Sequence, residues 1–315
     1  FSLKPKEWKE WKESNEKYML SEKKSLLFFS SYDTSSPIFA GELEGMESII
    51  NQSNIHLDTI NMDFQHFGHD KDIEAFHTFV RTRMNNREKP YDGIMVGDDR
   101  ALRFVMEAQE ELFSGIPIIF FGIGDEELAK NASRNPKISG YYSPTRLKET
   151  LDLATSLQIG ADTIMVLYDN TYLGNTAREE FFALQRSFSS YRFAGLNFSQ
   201  MKKEDFFEAV EKLDEKSIVL YFSTSLDEDG NYYPVNQSIK MVLSRANVPI
   251  YGYAMVENVK GFLGGRVMEI QQMAKNASLL MLDVLSGKKE VEKISYEEDS
   301  PGMLVVDNRV LSAYH

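Results

Sequence analysis

Not one cysteine occurs in the 315 residues, which excludes a disulfide framework, a thiolate metal site and a cysteine nucleophile. Long apolar runs are missing too, since none approaches the ~20 residues that a membrane-spanning helix requires. The opening stretch FSLKPKEWKEWKESNEKYMLSEKK has no apolar h-region, so it does not read as a signal peptide. With Phe at position 1, the chain is expected to be a segment of a longer protein. Gly-rich phosphate loops, a G-x-S-x-G elbow and H-E-x-x-H are all absent. Gly261, Gly264 and Gly265 do not follow a strand in dinucleotide-binding register and read instead as hinge glycines. His66 and His69 have metal-like spacing, but zinc needs three or four converging ligands and the chain holds only five histidines. LDEDGNYYP (226–234) lacks the later bidentate Glu of a calcium loop. No cofactor and no metal is therefore expected. Nothing pairs a nucleophile with a base, so the chain is not expected to be an enzyme.

What is present suits a folded chain. A hydrophobic content of 42% with 12% aromatics is ample for real cores. Lys+Arg 35 against Asp+Glu 48 gives a net charge of −13. So acidic a surface repels phosphate backbones and anionic membranes, and nucleic acid is not an expected partner. The length suits two lobes of ~150 residues each.

Residues 4–24 read as a charged helix with Trp8 and Trp11 on one face, either a solvated surface or a stalk. From Leu26 the chain alternates. Strand-like runs at 26–30, 56–64, 91–97, 117–123 and 138–142 are separated by helical patterns at 38–53, 71–87, 99–113 and 125–132. After Ser143-Pro144 the rhythm restarts, with a helix near 144–158 and strands at 163–169, 192–198, 217–224 and 249–254. Short apolar strands alternating with amphipathic helices predict parallel sheets covered on both faces. The expected fold is α/β, with two doubly wound parallel-sheet lobes joined by a multi-strand hinge. Its divisions are an N-terminal helix (1–24), lobe 1 (25–143), lobe 2 (144–256), and a hinge crossing with a long helix, GGRVMEIQQMAKNASLLMLDVLSG, and a return to lobe 1 (257–315).

In parallel α/β sheets, ligands bind beyond the carboxyl ends of the strands. That rule singles out Ser30, Ser31, Tyr32 and Asp33, then Gly97, Asp98 and Asp99, then Gly122 in the first lobe. In the second it singles out Asp169, Asn170 and Tyr172, then Ser223, Thr224 and Ser225, then Tyr251 and Tyr253. Hydroxyls and amides there supply hydrogen bonds, and tyrosines supply apolar walls with a polar tip. Ser, Asp and Asn are also preferred N-caps. Asp98 as cap with Asp99 in the first turn accounts fully for VGDDRA (96–101). Ser30–Asp33 in LLFFSSYDTSS (26–36), ahead of the apolar spacing Phe39, Leu43, Met46 and Ile50, are expected both to cap the first helix and to line a cleft.

Taken together, LLFFSSYDTSSPIFAGELEGM, YDGIMVGDDRALRFV, GIPIIFFGI, ISGYYSPTRLKETLDLATSL, IMVLYDNTYLG and VPIYGY resemble the periplasmic binding protein-like type I family. The tail LLMLDVLSGKKEVEKI followed by MLVVDNRVLSAYH is similar to its closing helix, strand and helix. The likeness spans roughly residues 25–315 and is to the branch of ABC-transporter substrate-binding proteins whose relatives serve as extracytoplasmic sensor domains of histidine kinases and diguanylate cyclases. It implies a small molecule held between two closing lobes. Contacts would come from Ser31, Tyr32, Asp33, Asp98 and Asp99 in the first, with Gly122 beside them, and from Asn170, Tyr172, Thr224 and Tyr251 in the second. An aromatic amino acid would suit tyrosine walls, hydroxyls and a carboxylate for the ammonium. Many relatives carry a Gly-rich turn and an aromatic before the closing helix. This chain reads AMVENVKGFLGGRV (254–267) there, and no contact is carried over from it. The resemblance implies an extracytoplasmic location, membrane attachment only through flanking segments, and leaves a homodimer open. A transport binding protein, an α/β enzyme such as a glycosyltransferase, and a scaffold with a plugged cleft stand as alternatives. The enzyme is disfavoured because no histidine falls on a carboxyl-end loop of the second lobe.

Overall fold

A computed structural model of the chain describes residues 18–256 and 260–314. Residues 4–17 of the expected N-terminal helix lie outside that range. Residues 18–23 form a turn and irregular chain, and strand β1 (Lys24–Ser30) has begun by Lys24, so no helix reaches 24.

Two compact units make up the chain, and each holds one six-stranded sheet. In the first unit β1 is followed by helix α1 (Pro37–Ile50), β2 (Ile55–Asn61), α2 (Asp70–Asn85), β3 (Gly93–Gly97), α3 (Asp99–Leu112), β4 (Ile118–Ile123), α4 (Glu126–Ala132) and β5 (Ile138–Tyr142). The long helix α9 (Ile270–Leu285) and the two-residue strand β11 (Glu297–Glu298) belong to this unit as well. Strand order is β11-β5-β4-β3-β1-β2, and every pairing is parallel. Parallel ladders bury both faces, and that is why LLFF can be apolar throughout. Leu27 and Phe29 face a core shared with Phe104, Val105 and Phe113, whereas Phe28 on the other face stacks on Phe39 of α1 at 6.4 Å. Each such side chain contributes ~2 kcal/mol of burial.

The second unit runs α5 (Leu147–Leu157), β6 (Thr163–Tyr168), α6 (Tyr172–Ala183), β7 (Arg192–Asn197), α7 (Lys203–Glu211), β8 (Ser217–Tyr221), α8 (Val235–Leu243), β9 (Ile250–Val256) and β10 (Gly264–Met268). It closes with β12 (Met303–Val306) and α10 (Asn308–Tyr314). Strand order is β12-β10-β9-β8-β6-β7. Apart from the three residues Ser35–Pro37, which group with the second unit, the chain passes between units after Pro144, Glu269 and Ser300.

Two expectations about the tail are corrected. The closing strand does not return to the first sheet. β12 pairs antiparallel with β10, Gly264 opposite Val306 and Val267 opposite Met303, and its alternating Val305 and Val306 pack on the two opposite cores of the second unit. GGRVM is not the start of the long helix either. Gly265, at φ +142°, sits in a bulge against β9 where an added Cβ would lie 2.2 Å from the carbonyl oxygen of Gly252, so the segment is held as strand β10. Gly265→Ala is expected to destabilise the protein by ~3 kcal/mol or more, read from the urea midpoint at unchanged slope.

Candidate functional site

Parallel pairing brings the loops after β1, β2, β3 and β4 to one edge of the first sheet. Ser31 is fully buried there. Its hydroxyl donates to the carbonyl of Gly97 at 3.3 Å and accepts from the backbone N–H of Ala101 at 2.9 Å. The serine therefore caps α3, which begins 68 residues later at Asp99, and not the helix that follows it. Helix α1 starts later, with Pro37 at its first position and Ser36 before it, which corrects the expectation that Ser30–Asp33 cap it. Tyr32 donates its phenol proton to Asp98 Oδ2 at 2.7 Å. Asp98 also caps α3, Oδ1 accepting from the Arg100 N–H at 3.2 Å, and holds φ +77°, a conformation rare for any residue but Gly. Asp99 points elsewhere. Its Oδ1 accepts from the N–H groups of Gly124 (2.9 Å) and Asp125 (3.4 Å), bracing the loop into α4. Gly122 sits at φ +66° in β4 and contributes a backbone turn without a side chain.

A residue the strand-end rule passes over lies beneath this edge. Glu42 of α1 is only 3% exposed and accepts from the Ser30 hydroxyl at 2.6 Å. The signal was legible, since Phe39, Glu42, Met46 and Ile49 share the buried stripe of α1 at helical spacing, with a carboxyl where an apolar residue belongs, while Leu43 is half-buried. Asp63 was missed too. It follows β2, takes φ +50°, lies 3.5 Å from His66 Nδ1 and stands close enough to Asp33 to feel its charge.

Burial dominates the electrostatics. It pushes the Glu42 carboxyl up to about 8, with the Ser30 hydrogen bond pulling down and Asp98 adding to the rise. Burial and then Asp98 push Asp99 up to about 7. Burial raises Asp98 against the stabilising Tyr32 hydrogen bond, and raises Asp63, with Asp33 adding to the rise and His66 opposing it. The Tyr32 phenol rises well above its usual range through burial and the neighbouring Asp98. This edge thus gathers carboxyl groups in excess of cations, with the Arg100 guanidinium donating to the carbonyls of Phe64 and Gly68.

At the second unit's carboxyl edge the buried carboxylate is tied into the fold. Asp169 is fully buried and spends both oxygens inside the fold. Oδ1 accepts from the Thr171 N–H and hydroxyl, and Oδ2 from the Ser223 hydroxyl and the N–H groups of Ser225 and Leu226. Gly174 makes that possible, because a Cβ there would meet the Asp169 carbonyl oxygen at 2.3 Å. Asn170 is exposed, its Oδ1 accepting from Asn197 at 2.9 Å, and Tyr172 stands half-buried at the start of α6. Thr224 is fully buried, with its hydroxyl and N–H both directed to the Tyr221 oxygen at 3.4 and 3.3 Å. Tyr251 is fully buried among Leu147, Leu151 and Leu220, and Tyr253 packs on Phe222 while donating to Glu180 at 2.6 Å. The expected tyrosine walls are therefore core residues. Alternation along β9 turns 251 and 253 to the same packed face. Of the expected set, Tyr32, Asp33, Asp98, Asn170 and Tyr172 remain at the edges, whereas Ser31, Asp99, Thr224 and Tyr251 are taken up by the fold.

No family model matches the chain, and no curated protein matches it in sequence. Solved structures share its fold. An ABC domain in complex with L-Trp from Streptococcus pneumoniae is 15% identical with a TM-score of 0.66, over 93% of this chain and 95% of that one. A ligand-free, open substrate-binding protein with adhesive properties from Clostridium difficile is 14% identical with a TM-score of 0.61, over 92% and 94%. A LacI transcriptional regulator from Lactobacillus brevis is 14% identical with a TM-score of 0.61, over 89% and 100%. The chain has the periplasmic binding protein type I fold, built as two α/β lobes with parallel sheets.

The buried Glu42 generates a pH prediction. Its ordinary value of 4.5 rises to about 8 on folding, so between these values the folded chain keeps a proton that the unfolded chain releases. Stability from this group is complete at acid pH and is lost as pH rises towards 8, by on the order of 4 kcal/mol. Glu42→Gln keeps an acceptor for Ser30 and carries no charge. Urea denaturation at pH 5 and pH 8 should show the variant gaining on the parent protein at the higher pH. Equal differences at both would remove the buried acid from this account.

Proposed function

We propose that the chain is an extracytoplasmic sensor domain that binds one small molecule at the carboxyl edges of its two sheets, the lobes closing on it and signalling to an output module beyond this segment. The observation that carries this reading is the gathering of Asp33, Asp63 and the Tyr32–Asp98 pair on one edge, where burial penalises the charged forms of Asp63 and Asp98 even with His66 beside Asp63. A ligand ammonium would relieve that penalty. Asn170 and the ring of Tyr172 on the second lobe would then meet the neutral part of an amino acid or similar amine. Binding would shift a two-state equilibrium only as far as the ligand prefers the closed form.

A second reading, a solute-binding protein of an ABC transporter, is favoured by the likeness to the Clostridium difficile substrate-binding protein and to the L-Trp complex. Both readings place the domain outside the cytoplasmic membrane and require no catalysis. No helix among the described residues is long and apolar enough to cross a membrane.

A thermal-shift screen of the purified protein against amino acids, amines, nucleosides and sugars tests the shared claim. Ligand at 100-fold its dissociation constant should add ~2.7 kcal/mol and raise the melting point by several degrees. The hit is expected among compounds with an ammonium group, and Asp98→Asn should weaken it by about tenfold or more through loss of a charge-assisted contact. A flat screen after unfolding and refolding to strip bound ligand would reject the receptor reading in favour of a scaffold. A hit among neutral sugars with unchanged affinity in the variant would reject the ammonium assignment.

A further inference from the structure

The three passages between the units are far apart in sequence, yet in the second unit one buried side chain gathers their ends. Arg266 of β10 is only 4% exposed and stands just before the passage at Glu269. Its Nη1 donates to the carbonyls of Pro301 (2.6 Å) and Gly302 (3.2 Å), the first residues after the passage at Ser300. Its Nη2 donates to Glu149 Oε2 in the first turn of α5, shortly after the passage at Pro144. The other oxygen of Glu149 accepts from Arg146 at 3.3 Å, and Arg146 holds φ +50° as the N-cap of α5. Gly302 adds a steric constraint. It lies at φ +68°, and a Cβ there would stand 2.2 Å from the Val267 carbonyl oxygen, so the returning chain rests directly on the departing strand.

The first unit repeats the arrangement with the opposite charge. Asp299, buried just before the passage at Ser300, accepts at Oδ1 from Asn276 Nδ2 of α9 at 2.9 Å. Its N–H donates to the carbonyl of Tyr142, the last residue of β5, at 2.9 Å. Tyr142 precedes the passage at Pro144, and α9 opens directly after the passage at Glu269. Each passage could be held by its own helix or strand alone. Spending buried charge on the backbone and side chains of the other passages ties the three together. A planar guanidinium suits that task, because its fork serves partners from separate segments at once. A charge out of water also makes those contacts interdependent, since losing one partner leaves the desolvation cost less offset.

We propose that Arg266, with Asp299 as its counterpart in the first unit, couples the three passages so that they bend as one hinge. Arg266 is a positioning residue, acting through the backbone it holds. The coupling has its use only if the lobes close on a ligand as proposed above. It is a property of the unliganded protein all the same, so a flat ligand screen and a failed hinge test are distinct results.

Hydrogen–deuterium exchange of the whole protein without ligand, read by mass spectrometry, tests the coupling. Glu149→Gln, at a half-buried position, takes one charge from the Arg266 fork. It should speed exchange about tenfold at the start of α5, and also in residues 301–304, a segment Glu149 reaches through Arg266. Arg266→Gln should accelerate the same two segments together with residues 264–270. Amides of β6 and β8, inside the second sheet, should keep the rates of the parent protein. Acceleration confined to α5 in Glu149→Gln, or to β10 and β12 in Arg266→Gln, would reduce each contact to a local tie and overturn the coupling. Uniform acceleration over both units, with no excess at the passages, would overturn it as well.

Discussion

Parallel strand pairing is the constraint on which the rest of this molecule depends. A parallel ladder needs a crossover after every strand, so each strand's carboxyl end leads into a loop at one edge and each amino end is entered from the other. Both faces are then covered by helices, which demands apolar side chains on both sides of β1, β3, β4, β6 and β8. Polar residues are expelled to the two edges. The chemistry of each lobe is concentrated there because the sheet leaves no other place for it.

The two lobes use their carboxyl edges differently. In the second, Asp169 is consumed by five donors from two loops, and a carboxylate so saturated is a structural tie. In the first, Glu42, Asp98 and Asp99 share fewer donors and press on one another, so their protonation is shifted towards the neutral form. At one edge the buried carboxylate is thereby tied by its donors, and at the other burial and mutual repulsion raise the carboxyls. A fold family that binds many unlike ligands can do so because such edge residues vary while the ladder stays the same. Identities of 14–15% alongside TM-scores above 0.6 in solved neighbours fit that division.

Strand and helix positions were largely legible because period-2 and period-3.6 apolar patterns are local. The strand-end rule found the Tyr32–Asp98 edge for the same reason: LLFFSSYD and IMVGDD each end an apolar run in polar residues. It failed at Tyr251 and Thr224, where a polar group at a strand's end turns inward and satisfies or buries itself in the core. Single positions cannot reveal this, because the neighbour that accepts the side chain, such as Tyr221 for Thr224, is set by packing. Short strands were equally hidden. β11 has two residues and β10 begins with two glycines, so neither carries an apolar period.

The sequence by itself determined the fold class, the absence of thiol chemistry, the acidic surface and the order of strands and helices, since all of these follow from composition and short-range periodicity. Only tertiary structure decided which carboxyls are buried, that Ser31 caps a helix begun 68 residues later at Asp99, and that β12 joins the second sheet. Those features depend on distances between residues far apart in the chain, and a hydrogen bond or a desolvated charge exists only once such distances are fixed.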